Sequence, residues 1–136
     1  MVDKNFKMKI GFTGTQKGMT DSQIGELFNV LTSFGGGEFH HGDCVGADIQ
    51  AALIAKEIGY YVVCHPPIKK QKRGYFTHNN KILAPVDYKK RNHDIVDSTD
   101  ILIAAPQQNI EVLRSGTWST IRYAKKKSKE ILKLTV

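Results

Sequence analysis

The chain has 136 residues, 40% of them hydrophobic and 24% charged, which suits one globular domain over 1–136 and excludes wholesale disorder or a fibrous repeat. Its longest apolar run, at residues 101–105, falls far short of the roughly 20 residues a bilayer-spanning helix needs. Twenty Lys and Arg against thirteen Asp and Glu give a formal charge of +7, which favours anionic partners.

The N-terminus has no apolar leader-like stretch. Two cysteines, Cys44 and Cys64, are too few to staple a secreted scaffold. The expectation is a cytoplasmic protein with reduced thiols. The basic excess gathers in Lys69-Lys70-Gln71-Lys72-Arg73, in Lys89-Lys90-Arg91, and in Lys125-Lys126-Lys127 with Lys129 and Lys133. Such runs are ordinarily solvated faces. Their functional alternatives are the phosphates of a small ligand or a nucleic-acid backbone.

Residues 8–13 alternate apolar and polar positions up to Gly14 and predict a strand. Ile24, Leu27, Phe28, Leu31 and Phe34 recur at helical spacing between cap oxygens at Thr20 and Asp21 and a stop at Gly35-Gly36-Gly37. A second strand is predicted at 38–41, a second helix at 45–58 and a third strand at 60–64, halted by Pro66-Pro67. A long segment at about 66–86 has no period and many charges, as functional or mobile connections do. A helix at 87–97, a buried strand at 100–105, a helix at 115–127 and a last strand at 130–136 complete the chain.

Alternating strands and helices predict an α/β three-layer sandwich of Rossmann-like type. The expected sheet has five mostly parallel strands in the order 3-2-1-4-5. Strand ends that lead into helices then share one edge, with the crevice where strand order reverses. Gly14, Gly42, Pro106 and Gly116 would gather there.

Three turns carry the candidate site. Thr13-Gly14-Thr15-Gln16-Lys17 offers backbone amides, two hydroxyls and a cation, although neither G-x-G-x-x-G nor G-K-[ST] is present. In His41-Gly42-Asp43-Cys44-Val45-Gly46-Ala47-Asp48, the small residues Gly42, Gly46 and Ala47 leave room for a ligand. Asp43 and Asp48 supply carboxylates, and Asp48 suits either a helix dipole or a ribose hydroxyl. Arg114-Ser115-Gly116-Thr117 opens a helix with unpaired amides and hydroxyls, with Arg114 able to fork onto the same oxygens. Ser115 would serve equally as a plain N-cap. Arg91 and Asn92 stand near the end of a helix leading to the same strand, where a surface ion pair would explain Arg91 equally. Trp118 reads as core rather than as a stacking platform for a base.

A metal is weighed because His40, His41, Asp43, Cys44, Cys64 and His65 fall near neighbouring strand ends. No C-x-x-C or H-x-x-x-H spacing is present, and His40 and His41 point to opposite faces. No metal and no cofactor is expected, and no Cys-His nucleophile is supported.

Taken in order, Gly11-Phe12-Thr13-Gly14-Thr15, the 41–48 turn, Arg91-Asn92 before 100–104, and Ser115-Gly116-Thr117-Trp118-Ser119-Thr120 resemble the SLOG superfamily. That superfamily includes the DNA-processing protein of transformation and the Lonely-Guy phosphoribohydrolases, and the resemblance is nearest to its small single-domain YspA/YpsA-related group. It covers most of the chain and implies binding of a nucleotide or nucleotide-derived molecule, such as an ADP-ribose derivative, by a sensor or sequestering protein. It also implies a homo-oligomer. The Lonely-Guy branch cleaves N-glycosidic bonds with a glutamate in G-G-x-G-T-x-x-E, and Thr120 stands at that position here. Two alternatives are therefore kept, a nucleotide N-glycosidase or transferase and a single-stranded nucleic-acid binder using the lysine clusters with Tyr75 and Phe76.

Overall fold

The computed structural model describes residues 8–136. Strand β1 (Met8–Gly14) leads to helix α1 (Asp21–Phe34), then β2 (Gly37–His41), α2 (Ala47–Ile58) and β3 (Tyr61–Cys64). After a long connection come β4 (Lys81–Ile82), α3 (Tyr88–Asp97), β5 (Ile101–Ala105), α4 (Gly116–Lys126) and β6 (Glu130–Lys133). No helix among the described residues is long and apolar enough to cross a membrane.

The strands form one sheet in the order β4-β3-β2-β1-β5-β6, and every ladder is parallel. Five of the six reproduce the expected 3-2-1-4-5 arrangement, with order reversing between β1 and β5. The five-strand expectation is corrected by β4, which lies in the segment at about 66–86. A two-residue strand is too short to show a period. Its neighbour Asn80 instead fixes it locally, since Asn80 Oδ1 accepts from Val62 N at 2.8 Å and Asn80 N donates to Val62 O at 2.8 Å. The last strand stops at Lys133, short of the predicted 136, where its pairing with β5 ends.

The two sheet faces are covered unequally. Ile10, Phe12, Phe39, Val62, Ile101 and Ile103 pack with Leu27, Leu31, Ala51, Ala52 and Ala55 of α1 and α2 in the main core. Small alanines on α2 let that helix sit close to the sheet. On the opposite face, Leu102 meets Val96 and Ala124, while Ala104 meets Trp118 and Ile121. Helices α3 and α4 thus cover the β1, β5 and β6 side, and among the described residues no helix covers the β2–β3–β4 side of that face.

Helix α1 begins with a reciprocal capping box at Thr20, one of the two cap residues expected. Thr20 Oγ1 accepts from Gln23 N at 3.1 Å, and Gln23 Oε1 accepts from Thr20 N at 3.0 Å. Gln23 is buried, and its Nε2 donates to Pro106 O at 2.8 Å. One side chain therefore caps α1 and holds the exit of β5. Replacing it by Leu orphans two backbone groups, and each such loss costs about 1–3 kcal/mol. Urea denaturation of Gln23→Leu should show a loss of that size, whereas the exposed Ser22→Ala should stay within about 0.5 kcal/mol of the parent.

Candidate functional site

The β1 turn is locked to both of its neighbours by backbone bonds. Thr15 N donates to Ala105 O at 3.0 Å, and Thr15 O accepts from Ala47 N at 3.0 Å. A side chain on Gly14 would collide with Ala47 Cβ, so glycine sets how closely α2 approaches. Thr15 is buried and its Oγ1 accepts from Lys17 N at 3.1 Å, which leaves the hydroxyl hydrogen to donate elsewhere. Thr13 is half-buried, and Gln16 and Lys17 are exposed at the rim.

The β2 exit is held by its own carboxylates. Asp48 is buried, and its Oδ2 accepts from Gly42 N at 3.1 Å and Cys44 N at 3.2 Å. Both of these bonds serve the turn that carries Asp48. Asp43 adopts φ 57° and is fully buried. Its Oδ2 receives Arg73 Nε and Nη2, each at 2.9 Å, and its Oδ1 receives Phe76 N at 2.8 Å. With Val45 N on Lys72 O and Gly74 N on Asp43 O, these bonds pin the basic segment beside the turn. Gly46 caps α2 without a side-chain bond, and the amide of Ala47 is spent on Thr15 O.

Arg91 crosses from α3 to this turn. It is only 2% exposed. Its Nη1 donates to Gly42 O and to His65 O, and its Nε donates to Asn92 Oδ1 at 2.8 Å. A side chain on Gly42 would strike the guanidinium. The guanidinium carbon lies 4.9 Å from the centre of the Tyr88 ring, whose hydroxyl abuts Gly116 at the start of α4. Arg91 is therefore an internal brace rather than a partner in a surface ion pair.

Ser115 caps α4, with Oγ accepting from Trp118 N at 3.3 Å. The amides of Gly116 and Thr117 precede the first intrahelical bond and remain for an outside acceptor. Arg114 is exposed and Thr117 buried. Trp118 is core, with Lys133 Nζ 5.3 Å from its ring centre. Thr120 is also buried, and its hydroxyl donates to Gly116 O at 2.9 Å.

The structure thus brings the three turns to one edge through a chain of contacts, from Ala105 to Thr15 to Ala47, and from Gly42 through Arg91 and Tyr88 to Gly116. From the sequence, Arg73 and Phe76 were placed only in the basic and aromatic segment and Tyr88 only on the helix of Arg91, and their contacts at this edge escaped it. Tyr88 and Arg91 carried a usable signal, because they stand seven and four residues before the buried Ile95 and so share its helix face.

Of the six metal-type residues, His41, Asp43 and Cys64 place donor atoms within 4.8 Å of one another. Each is already engaged or poorly ionised. Asp43 is spent on Arg73 and Phe76. His41 Nδ1 accepts from Asp43 N at 3.0 Å, so Nε2 donates to Asn79 Oδ1 at 2.7 Å. Burial, with help from Asp43, pushes the Cys64 thiol up to about 12.

No family model matches the sequence, and no curated protein matches it. Solved structures do. The molybdenum cofactor binding protein from the phototrophic bacterium Rippkaea orientalis superposes with a TM-score of 0.71 at 22% identity, over 96% of this chain and 77% of that one. The Moco carrier protein from Chlamydomonas reinhardtii gives 0.67 at 20% identity, over 95% and 76%. DNA processing protein A from Helicobacter pylori, described for its single-stranded DNA binding mode, gives 0.64 at 19%, over 93% and 64%. The neighbours are SLOG-type Rossmann-like proteins, and this chain has their fold.

Protonation links the edge to stability. Burial lowers His41 to about 4 and His65 to about 3, the latter helped by repulsion from neighbouring histidines and Arg91. Unfolding returns both towards 6.5, so the unfolded chain binds more protons between those values and stability rises with pH across that window. Asp48 acts in the opposite sense. Burial raises it from 3.8 to about 6 against the pull of Arg91, so the folded chain holds an extra proton there and stability falls with pH. Thermal melts should therefore show a midpoint that climbs from pH 4 to about 6.5. The climb should be steeper in Asp48→Asn, which keeps an acceptor oxygen but removes the opposing titration.

Proposed function

We propose that the protein binds a nucleotide or nucleotide-derived small molecule at this edge and acts as a sensor or sequestering protein. The observation that carries the reading is the convergence of three turns, with the Gly116 and Thr117 amides at the start of α4 left without an intrahelical partner. Those amides suit phosphate oxygens. The Thr15 hydroxyl and the exposed Lys17 and Arg114 add donors around them. Gly14, Gly42 and Gly116 let Ala47, Arg91 and Tyr88 pack close, which draws the three turns together. The description of two structural neighbours as binding or carrying the molybdenum cofactor supports a small-molecule role for the fold, and makes that cofactor a ligand to test alongside nucleotides.

Binding is favoured over N-glycoside cleavage because Thr120 stands where a carboxylate would be needed and spends its hydroxyl on Gly116 O. Asp43 and Asp48 are both occupied within the β2 exit. A second reading, single-stranded nucleic acid, is favoured by one feature. Lys69, Lys70 and Lys72 are exposed on the segment pinned beside the site, and Arg73 lies against the half-exposed Tyr75 ring. Phosphates would pair with the lysines and a base would stack on the tyrosine.

Thermal-shift screening should separate these readings. ADP-ribose, nucleoside phosphates or the molybdenum cofactor should raise the midpoint of the parent. Lys17→Ala and Arg114→Ala should weaken the effect by about tenfold to a hundredfold in apparent affinity, the worth of one charge-assisted bond each. Stabilisation by none of these ligands, together with steeply salt-dependent oligonucleotide binding lost on Lys69→Ala/Lys70→Ala, would favour the nucleic-acid reading.

A further inference from the structure

The bare half of the second sheet face holds a groove of about 780 Å³, apart from the edge described above. Its walls include Glu38, His40, Tyr61, Val63, His65 and Lys81. Two histidines and a carboxylate there form a hydrogen-bonded chain. Glu38 Oε1 lies 2.8 Å from His40 Nε2, and His40 Nδ1 lies 2.8 Å from His65 Nε2. The rings of His40 and His65 are 5.0 Å apart.

The chain has a polarity that chemistry fixes. A carboxylate can only accept, so His40 must donate from Nε2. His40 Nδ1 is then a lone pair and accepts the proton of His65 Nε2. His65 Nδ1 is left as a bare acceptor at the end of the chain. His65 is 4% exposed and lines the groove, and its Nδ1 has no hydrogen-bond partner among the described residues. Burial lowers both histidines below the ordinary value, in keeping with an uncharged pair.

We infer that this groove is a second binding site, for a neutral planar molecule that presents a polar N–H to His65 Nδ1. Glu38 positions the acceptor through His40. Tyr61, 46% exposed, and Val63 supply the apolar wall. Glu38 and Lys81 offset one another in charge, so the groove lacks the one-sided positive field of the turn edge. The inference does not rest on the nucleotide reading and can fail without it.

The test uses the full chain with 2-pyridone, a planar N–H donor, against 1-methyl-2-pyridone, which lacks that hydrogen. Imidazole nitrogen NMR should find His65 protonated on Nε2 and bare on Nδ1. Titration with 2-pyridone should shift Nδ1 and the amides of Tyr61 and Val63. The methylated probe should bind about threefold to tenfold more weakly, one hydrogen bond's worth. His65→Gln should lose the same factor. Glu38→Gln, whose amide can either donate or accept, should populate the other tautomer while the protein stays folded. An Nδ1–H tautomer in the parent, equal binding of the two pyridones, or no shift with saturating 2-pyridone would overturn the proposal.

Discussion

A buried guanidinium bonded to two strand-end carbonyls is the interaction on which the candidate site depends. Burying a cation is costly unless its donors are used, and Arg91 uses them on the carbonyls of Gly42 and His65 and on Asn92. Those carbonyls close β2 and β3, while Arg91 itself belongs to α3, which follows the long segment. One side chain thereby fastens the third helix to two strand exits. Through Tyr88 it also reaches the first residue of α4. Glycine at position 42 is a consequence, since a side chain there would strike the guanidinium.

A second ionic contact has a related effect nearer the surface. The Asp43–Arg73 pair is held by two nitrogens on one oxygen, with the other oxygen satisfied by a backbone amide. It fixes a segment rich in lysine beside the β2 exit, whose own amides are bonded within the turn and to its neighbours. The exposed Lys69, Lys70 and Lys72 are thereby held beside this edge by a buried acid. On the other side of the sheet, the missing helix over β2, β3 and β4 leaves the Glu38–His40–His65 chain in a groove of different character. The two regions meet at His65, whose carbonyl serves Arg91 and whose ring faces the groove.

Much of this architecture was legible in the sequence, for identifiable reasons. Helical spacing from Ile24 to Phe34 and the cap oxygens at Thr20 and Asp21 set α1, and the apolar run at 101–105 set a strand buried on both faces. The parallel order with its reversal beside β1 followed from the alternation of elements. What escaped was set by contacts distant in sequence. Strand β4 is two residues long and exists through pairing with β3 and the Asn80 side chain. Arg91 sat in a Lys-Lys-Arg run that looked solvated, and only its four-residue offset from Ile95 marked it as inward. Likewise His40 and His65 share a face only because β2 and β3 pair with His41 opposite Cys64. No local pattern could supply that register.

Backbone amide shift mapping during titration with ADP-ribose tests the central claim most directly. The account predicts saturable changes clustered at residues 13–17, 42–48 and 114–118, with little change at 125–129 on the far end of α4. Changes confined to the groove or to the terminal lysines, or none at saturating ligand, would contradict it.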